Sequence, residues 1–220
     1  MPAKTVFVTG GTGYIGRPLV ASLVARRHAV HSLVRPGSED KLAAGATTVS
    51  GDALDAATFG HAIPRGATLV HLVGTPHPNP AKATEFERVD LASIRASATA
   101  AVAAGVSHIV YVSVARPAPL MRSYIAAREQ GEAAVAATGI VHTFVRPWYV
   151  LGPGHYWPYL LVPVYALARV LPPTRGQAVR LGLVTLDQMV SALVASVETP
   201  PPNRTRIVDV PAIARAQLPS

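Results

Sequence analysis

The chain contains no cysteine and few charged residues, and each shortage excludes a class of protein. Without cysteine, disulfides, thiolate zinc sites and cysteine nucleophiles are excluded. Charged residues make up 15% of the 220 residues and apolar residues 50%, a balance that is atypical of disordered chains. We therefore expect one globular domain, 1–220, that is long enough to bury a sizeable core.

Acidic residues are fewer than basic ones: the chain has twelve Asp and Glu, twenty Lys and Arg, and a formal net charge of +8. Such an excess favours anionic partners such as phosphates, nucleic acid or lipid headgroups. The basic residues are scattered, however, and form no run interleaved with aromatic residues. We therefore expect a basic surface with a phosphate-binding site, do not expect nucleic-acid binding, and assign no metal ligands.

The opening of the chain is typical of a nucleotide-binding turn. An apolar run at 5–9 leads into a glycine-rich turn, and an amphipathic segment with helical spacing follows. The early glycines permit a tight turn, the middle one lets a pyrophosphate approach the backbone, and Gly16 lets the helix pack on the strand. Phosphates would then bind the N–H groups of the helix N-terminus. The predicted cofactor residues here are Gly10, Thr12, Gly13, Tyr14, Ile15 and Gly16.

Strands and helices alternate along the chain, which favours a doubly wound parallel sheet, the Rossmann fold. The pattern predicts about six or seven strands in a single α/β domain, with a cofactor-binding core over about 1–150 and a small lobe over about 151–220. It also predicts one long helix over 82–104, with Phe86, Ile94 and Val102 among its inward residues. Thr185 is expected to cap a late helix that begins near 186.

The end of the second predicted strand bears on cofactor choice. NAD-binding folds hold an acid there for the ribose 2′-OH, and this chain has Arg35 instead. A guanidinium pairs with a 2′-phosphate that a carboxylate would repel, so Arg35 favours NADP(H) over NAD(H), with Arg17 as a helper. After the third strand, Asp52 either caps the next helix or accepts a hydrogen bond from adenine, and Asp52 and Ala53 are assigned to the cofactor site.

The fourth predicted strand leaves the sheet at Val73, Gly74 and Thr75, before a proline-rich loop. Ligands bind at such exits on the carboxyl edge of a parallel sheet, so these three residues are assigned to the cofactor site. Inside the strand, His71 is expected to be a hydrogen-bonded core residue. In the loop, His77 is the better functional candidate of the two.

A possible catalytic group follows the fifth strand. Ser113 ends that strand, and Tyr124 and Arg128 lie four residues apart on one face of the next helix. Carbonyl reduction needs a proton donor whose conjugate base the site tolerates, and a neighbouring cation stabilises a phenolate. The pattern predicts Tyr124 as the acid, Ser113 as its partner and Arg128 as the electrostatic group. The alternative is that Tyr124 and Arg128 merely lie on a helix near the cofactor.

Together these motifs resemble the short-chain dehydrogenase/reductase superfamily. The resemblance is to its atypical, NmrA-like or NAD(P)H-binding branch, which is related to the NAD-dependent epimerase/dehydratase family. The matching pieces are Thr9 to Gly16, Gly51-Asp52, Val73-Gly74, Ser113 and Arg146 to Gly154. The resemblance implies that the last piece runs beside the nicotinamide and into the substrate pocket. The cofactor residues it implies there are Pro147, Trp148, Tyr149 and Val150.

One departure from the family separates two functions. The family motif is Tyr-x-x-x-Lys, whose lysine also binds the nicotinamide ribose, and here Arg128 stands in its place. By the resemblance, Arg128 would keep the positive charge and hold the ribose in an NADP(H)-dependent oxidoreductase that reduces a small apolar carbonyl compound. The alternative is a non-catalytic NAD(P)-binding sensor or assembly protein, like the NmrA-type regulators or the accessory subunit of respiratory complex I.

The segment 156–171 is apolar and aromatic, yet too short and too interrupted by proline to span a membrane. Three interpretations stay open, in this order: a pocket for an apolar substrate, a contact between two copies of the chain, or a peripheral contact with a membrane surface. The chain enters its first strand without a secretory signal pattern, so we expect a cytoplasmic location.

Overall fold

The computed structural model describes residues 2–76, 78–116, 121–153 and 181–217. Within them, seven strands form one sheet in the order β3-β2-β1-β4-β5-β6-β9, and every neighbouring pair is parallel. These strands are β1 (Thr5–Thr9), β2 (Ala29–Val34), β3 (Thr47–Ser50), β4 (Thr68–His71), β5 (His108–Val112), β6 (Val141–Val145) and β9 (Thr205–Val208). The predicted doubly wound parallel sheet is confirmed.

A second, two-stranded sheet lies beyond β6. It pairs β7 (Tyr149–Leu151) with β8 (Leu183–Thr185), again in parallel. The longer α-helices of the described residues are α1 (Gly16–Ala25), α2 (Ala92–Ala104), α3 (Arg122–Ala137) and α4 (Leu186–Glu198), and α5 (Val210–Arg215) is a short one. No helix of the described ranges is both long enough and apolar enough to cross a membrane.

Helices cover both faces of the main sheet, because its central strands are apolar on both sides. One face packs on α1, α4 and α5 through Leu19, Leu23, Met189, Leu193 and Ile213, all with 0% exposure. The other face packs on α2 and α3, together with short 3₁₀ turns that contribute Phe59 and Ile63. The strands between these layers therefore have fixed positions, and so do the residues that leave them.

The predicted helix over 82–104 differs from the structure. A turn at Ala83–Glu85 is followed by a π-helical segment, Phe86–Leu91, and regular helix begins only with α2. Phe86 and Ile94 are buried as expected, but Val102 is 55% exposed, so its predicted inward position is wrong. The π-helical turn is wider than an α-helical turn, and it shifts the faces of the segment relative to a regular 3.6-residue period.

At the amino edge of the sheet, an ion pair joins α1 to α4. Arg26 donates from Nε to Oε1 of Glu198 at 2.6 Å and from Nη2 to Oε2 at 3.0 Å. His28 contacts the same carboxylate at 3.2 Å and accepts a hydrogen bond from the backbone N–H of Lys4. The hydrogen bond from Arg26 holds the pKa of Glu198 below its usual value. This pair lies far from the carboxyl edge, where the strands end.

The N-terminus of α4 carries the cap that the sequence predicts. The Thr185 side chain accepts from the backbone N–H of Gln188 at 3.2 Å, and the Gln188 side chain accepts from the backbone N–H of Thr185 at 2.9 Å. This reciprocal arrangement is a capping box, and it satisfies two backbone donors that would otherwise lack partners.

We expect Thr185→Ala to lower the free energy of unfolding by about 1 kcal/mol, because the N–H of Gln188 loses its acceptor. Chemical denaturation followed by circular dichroism measures the change. Thr199→Ala, at the other end of the same helix, is the matched control, because its side chain makes no hydrogen bond to the described residues. Equal losses in the two variants would contradict the role of the cap.

Candidate functional site

The strand order reverses between β1 and β4, and this reversal opens a crevice at the carboxyl edge of the sheet. The sheet proceeds from β1 to β2 and β3 on one side and from β4 to β5 and β6 on the other. Connections therefore leave in opposite directions, and the space above them stays free for a ligand. We call this space the cofactor crevice; nearly all of the predicted site residues lie on the elements around it.

The glycine turn after β1 is shaped for close approach to a ligand. Gly10 has a positive φ of 81°, and its carbonyl accepts from the N–H of Gly13 at 3.0 Å. A Cβ on Gly16 would collide with the carbonyl oxygen of Gly10 and would lie 2.7 Å from Cα of Gly11. Helix α1 starts there with no side-chain cap and no acid in its first turn. Such an uncapped N-terminus suits an anionic pyrophosphate.

Two exposed arginines lie on the elements next to this turn. Arg35 directly follows β2, and Arg17 lies in the first turn of α1; both are exposed. Neither side chain makes a hydrogen bond or ion pair with any residue that the structure describes. The N–H of Ser38 donates to the carbonyl of Arg35 at 3.1 Å and fixes the turn that carries it. The two guanidinium groups are thus available for a phosphate.

Asp52 stabilises a short turn after β3, but it does not cap the helix that follows: the cap of the 3₁₀ turn at Ala56–Thr58 is Asp55, whose side chain accepts from the backbone N–H of Ala57 at 3.0 Å. The capping role predicted for Asp52 is therefore wrong. The Oδ1 atom of Asp52 accepts from the backbone N–H of Leu54 at 3.0 Å, and its own N–H donates to the Thr58 hydroxyl at 3.0 Å. The side chain is exposed and Ala53 next to it is half-buried. The other carboxylate oxygen of Asp52 has no partner within the described ranges, so the predicted contact with adenine stays open.

Beyond β4, the chain passes through Val73 and Gly74 to a buried hydrogen-bonding centre. Thr75 donates to Oδ2 of Asp90 twice, from its backbone N–H at 2.9 Å and from its hydroxyl at 2.6 Å. Asp90 belongs to the π-helical segment and has 0% exposure. The path of the strand exit is therefore set by a carboxylate that sequence reasoning did not single out.

Arg128 pairs with that same carboxylate. Its Nη2 lies 2.6 Å from Oδ1 of Asp90, and its Nη1 donates to the carbonyl of Val112 at 2.8 Å. Burial by itself would lower the pKa of Arg128, but the neighbouring Tyr124, Tyr111 and Asp90 outweigh it and raise the pKa above its usual value. The guanidinium is a permanent charge inside the protein, with a side chain only 6% exposed.

One of the two predicted hydroxyl groups lies on a ring that packs against this cation, and the other follows the neighbouring strand. The half-buried Tyr124 lies in the first turn of α3, with its ring centroid 5.2 Å from Cζ of Arg128. Ser113 follows β5 and is held by its backbone N–H, which donates to the carbonyl of Val145 at 2.8 Å. Neither hydroxyl makes a hydrogen bond to the described residues. Tyr124 is half-buried and Ser113 is 3% exposed, and their catalytic roles stay predictions.

The segment after β6 crosses to the glycine turn. The carbonyl of Pro147 accepts from the N–H of Ala115 at 2.9 Å, and the half-buried Trp148 packs on the hydrophobic core and contacts Tyr149 at 5.4 Å between ring centroids. The Tyr14 hydroxyl of the glycine turn lies where a side chain at Gly152 would project. This contact brings β7, with Tyr149 and Val150, to the rim of the crevice.

A buried carboxylate also anchors the start of this segment. Glu132 of α3 accepts from Nε of Arg146 at 2.8 Å and from its Nη2 at 2.6 Å. Arg116 donates to the same carboxylate at 2.7 Å and pairs with Glu129 at 2.6 Å. These charges neutralise one another, so we assign them the task of holding the strand exits and no chemistry.

His71 is a hydrogen-bonded core residue, as the sequence predicts. Its Nδ1 lies 2.8 Å from the Thr9 hydroxyl and 3.0 Å from that of Ser97, and its Nε2 lies 3.3 Å from that of Ser93. Burial, and after it the charge of Arg128, lowers the pKa of His71 to about 3. The imidazole is therefore neutral under physiological conditions, and it ties β1 to β4 directly below the crevice.

Two sequence predictions fall outside the described residues, namely His77 and the apolar segment 156–171. The missed residue of the site is Asp90. The sequence contains one signal for it. Asp90 lies four residues after Phe86 and four before Ile94, so it interrupts an otherwise apolar face of the helix. No group of three or more metal-binding side chains occurs in the ranges that the structure describes.

The features of the crevice fit a dinucleotide and agree with the sequence comparisons. A family model described as NAD(P)H-binding matches residues 10–154. A relative from Caulobacter vibrioides named Ceramide reductase is 29% identical over 214 residues, which are 93% of this chain and 64% of that protein. This chain thus spans less than two thirds of the length of that relative.

Solved structures share the fold. The Bordetella bronchiseptica enzyme WbmG in complex with NAD has a TM-score of 0.69 at 18% identity, with 94% of this chain and 73% of that chain covered. A short-chain dehydrogenase/reductase superfamily protein from Agrobacterium tumefaciens with bound NAD has a TM-score of 0.67 at 17% identity, with 96% and 80% covered. At these identities the likeness concerns the fold.

We expect Gly16→Ala to weaken binding of a nicotinamide dinucleotide by roughly tenfold, because fixed backbone atoms of Gly10 and Gly11 must move to admit the methyl group. Fluorescence titration measures the affinity. Gly60→Ala is the matched control, since its methyl group would be 3.4 Å from the nearest atom, in Ala100. Equal affinities in the two variants would contradict the proposed fit.

Proposed function

This chain belongs to the NAD(P)H-binding family, and we propose that it is an NADP(H)-dependent oxidoreductase that reduces a small apolar carbonyl compound. The observation that carries the proposal is the arrangement of Tyr124, Ser113 and Arg128. Two hydroxyl groups without hydrogen-bond partners in the described ranges lie on neighbouring elements at the carboxyl edge, and a buried cation lies beside one of them.

The chemistry follows from this arrangement. A bound reduced nicotinamide would supply a hydride to the carbonyl carbon, and the carbonyl oxygen then needs a proton. Tyr124 donates that proton from its hydroxyl, and Ser113 donates a hydrogen bond to the same oxygen. The guanidinium of Arg128 stabilises the phenolate that the proton transfer leaves behind, because its Cζ lies over the Tyr124 ring at 5.2 Å from the centroid.

Arg35 is the basis for preferring NADP(H). It is exposed at the end of β2 and has no partner among the described residues, so it can pair with a 2′-phosphate at little cost. Arg17 lies across the same turn and adds a second positive charge. No acid stands at the end of β2 to bind a ribose 2′-OH, which is the usual feature of NAD-binding folds.

An apolar substrate is supported by the composition of the crevice rim, and reduction as the class of reaction is supported by the name of one relative. The rim described here carries Trp148, Tyr149 and Val150. The relative named Ceramide reductase bears a name that denotes reduction of a lipid, and we extend only the class of reaction to this chain. The segment 156–171, with its aromatic residues, is proposed to complete the pocket or, as the alternative, to join two copies of the chain.

A second function is favoured by one observation. The guanidinium of Arg128 is committed to Asp90 and Val112, whereas the family's lysine binds the nicotinamide ribose. A site without that contact also suits a protein that binds the cofactor and does not turn it over. The alternative is therefore a non-catalytic NAD(P)-binding sensor or assembly protein.

We expect Tyr124→Phe to slow carbonyl-dependent oxidation of NADPH by roughly a hundredfold or more, because the proton donor is removed. The loss of NADPH absorbance with a panel of apolar aldehydes and ketones measures the rate. Tyr111→Phe is the matched control, since Tyr111 has 0% exposure and its ring also contacts Arg128. An unchanged rate in Tyr124→Phe would remove Tyr124 as the acid. NADPH that binds tightly but is not oxidised with any compound would favour the sensor.

We expect Arg35→Asp to shift the ratio of NADPH to NADH affinity towards NADH by roughly tenfold to a hundredfold, because the charged hydrogen bonds to the 2′-phosphate are lost. Titration with each dinucleotide measures the ratio. Arg65→Asp makes the same change of charge on an exposed turn next to Gly105, at the amino edge of the sheet. If the two variants shift the ratio equally, the effect belongs to net charge, and Arg35 is not in the site.

A further inference from the structure

Two helical segments meet at the residues on which the proposed reaction depends. The π-helical segment presents Phe86 and Asp90, four residues apart, and α3 presents Tyr124 and Arg128, also four apart. Phe86 packs edge-on against the Tyr124 ring at 5.1 Å between centroids, while Asp90 pairs with Arg128 at 2.6 Å. One apolar contact and one ionic contact therefore hold the same two segments together.

The guanidinium of Arg128 faces the protein interior in every direction that the structure describes. Nη2 contacts Asp90, Nη1 donates to the Val112 carbonyl, and Nε is enclosed without a hydrogen-bond partner. Its flat faces lie against aromatic rings, 5.2 Å from the centroid of Tyr124 and 5.7 Å from that of Tyr111. Little of the group is left to contact a ligand in the crevice.

Asp90 holds the guanidinium in this place. Its carboxylate has 0% exposure, and Arg128 is its cation within the described residues. Thr75 supplies two hydrogen bonds to the other carboxylate oxygen, which stabilise the charged form but do not neutralise it. A buried carboxylate that loses its cation strongly destabilises the fold. The state in which Arg128 pairs with Asp90 is therefore favoured over one in which Arg128 binds the ribose.

The strand exit after β4 rests directly on this pair. A Cβ on Gly74 would contact Nη2 of Arg128 and would lie 3.1 Å from Oδ1 of Asp90, so the ion pair fills the space that a side chain would take. Thr75, the next residue, is bonded to Asp90. Moving Arg128 towards the crevice would therefore also move the backbone that borders the cofactor.

This arrangement gives a physical reason for arginine at position 128. A guanidinium is a planar fork, and here one terminal nitrogen forms an ion pair with Asp90 while the other donates to the Val112 carbonyl. The three donors of a lysine ammonium all radiate from one nitrogen on a flexible stem, so they do not reproduce the fixed spacing of a guanidinium fork. An arginine at position 128 therefore suits the two contacts that it makes inside the protein, with Asp90 and with the Val112 carbonyl.

We propose that Asp90 makes Arg128 a positioning residue instead of a cofactor ligand. The pair fixes the ring of Tyr124 and the path of the β4 exit, and the nicotinamide ribose is bound by other groups. This inference deepens the proposed function. The test that measures kcat rests on that function, whereas the test that measures cofactor binding does not.

The binding test separates the two halves of the cofactor. NADPH and adenosine 2′,5′-bisphosphate share the phosphorylated adenosine end, and only NADPH carries the nicotinamide ribose. The ratio of their dissociation constants, from calorimetry, therefore measures what the nicotinamide half contributes. In the double variant Asp90→Asn with Arg128→Met, which leaves neither charge unpaired, we expect this ratio to stay within about twofold of wild type. A change of roughly tenfold that weakens NADPH alone would overturn the proposal.

The control for this test is Glu198→Gln. It breaks an ion pair of similar kind with Arg26 at the amino edge of the sheet, away from the crevice. We expect it to lower the free energy of unfolding without changing the ratio of dissociation constants or kcat. It therefore shows what a loss of stability alone does to both readouts.

The catalytic test uses the single variants Asp90→Asn and Arg128→Lys. We expect each to lower kcat by roughly tenfold with KM for NADPH nearly unchanged, because Tyr124 is misplaced while the cofactor still binds. The double variant Asp90→Asn with Arg128→Lys should be no slower than either single variant, since both act through one contact. A kcat that rises in Arg128→Lys, or effects that multiply in the double variant, would overturn the proposal.

The two proposals fail in different ways. If wild-type protein oxidises no NADPH with any carbonyl compound, the proposed function is contradicted. The ratio for the double variant then still decides on Arg128: an unchanged ratio supports its positioning role, and a tenfold change assigns it to the ribose.

Discussion

A carboxylate enclosed by protein requires a cation, and the pairing of Asp90 with Arg128 organises the carboxyl edge of this sheet. The π-helical segment supplies the acid and α3 supplies the base. The exit of β4 is tied in through Thr75, and the end of β5 through the carbonyl of Val112. Four elements that border the cofactor crevice therefore share one contact. Any change in the direction of the guanidinium affects the strand exits and the Tyr124 ring together.

The parts of the fold that sequence could predict are those that neighbouring residues decide. The apolar run of β1, the glycine turn and α1 adjoin one another in the chain, so their pattern is sufficient for strand, turn and helix. The seven strands follow from the same kind of local signal, and the parallel order follows from the alternation with helices. The cap at Thr185 is also local, because it needs only Thr185 and Gln188, which lie within four consecutive residues.

The partner of Arg128 could not be predicted, because an acid on an apolar helical face indicates a buried carboxylate at 90 but does not indicate which distant cation pairs with it. Glu129 and Glu132 are nearer in the chain, yet they pair with Arg116 and Arg146, and Arg128 reaches back to Asp90. The π-helical segment was missed for a related reason. A period of 3.6 residues fits 82–104 well enough to suggest one regular helix, and the extra width of a single turn is invisible to that fit.

The outermost strands of the main sheet limit how this chain can associate with others. In the described residues the sheet ends at β3 and β9, each four residues long. Both carry polar or charged side chains, Thr47 and Thr48 on one and Arg206 on the other, whose guanidinium folds back to the carbonyl of Thr199 at 2.6 Å. Short edges of this kind offer few unpaired amides to an incoming strand. The shortness of both outer strands therefore disfavours edge-to-edge pairing of two sheets, even though Ile207 of β9 is 51% exposed.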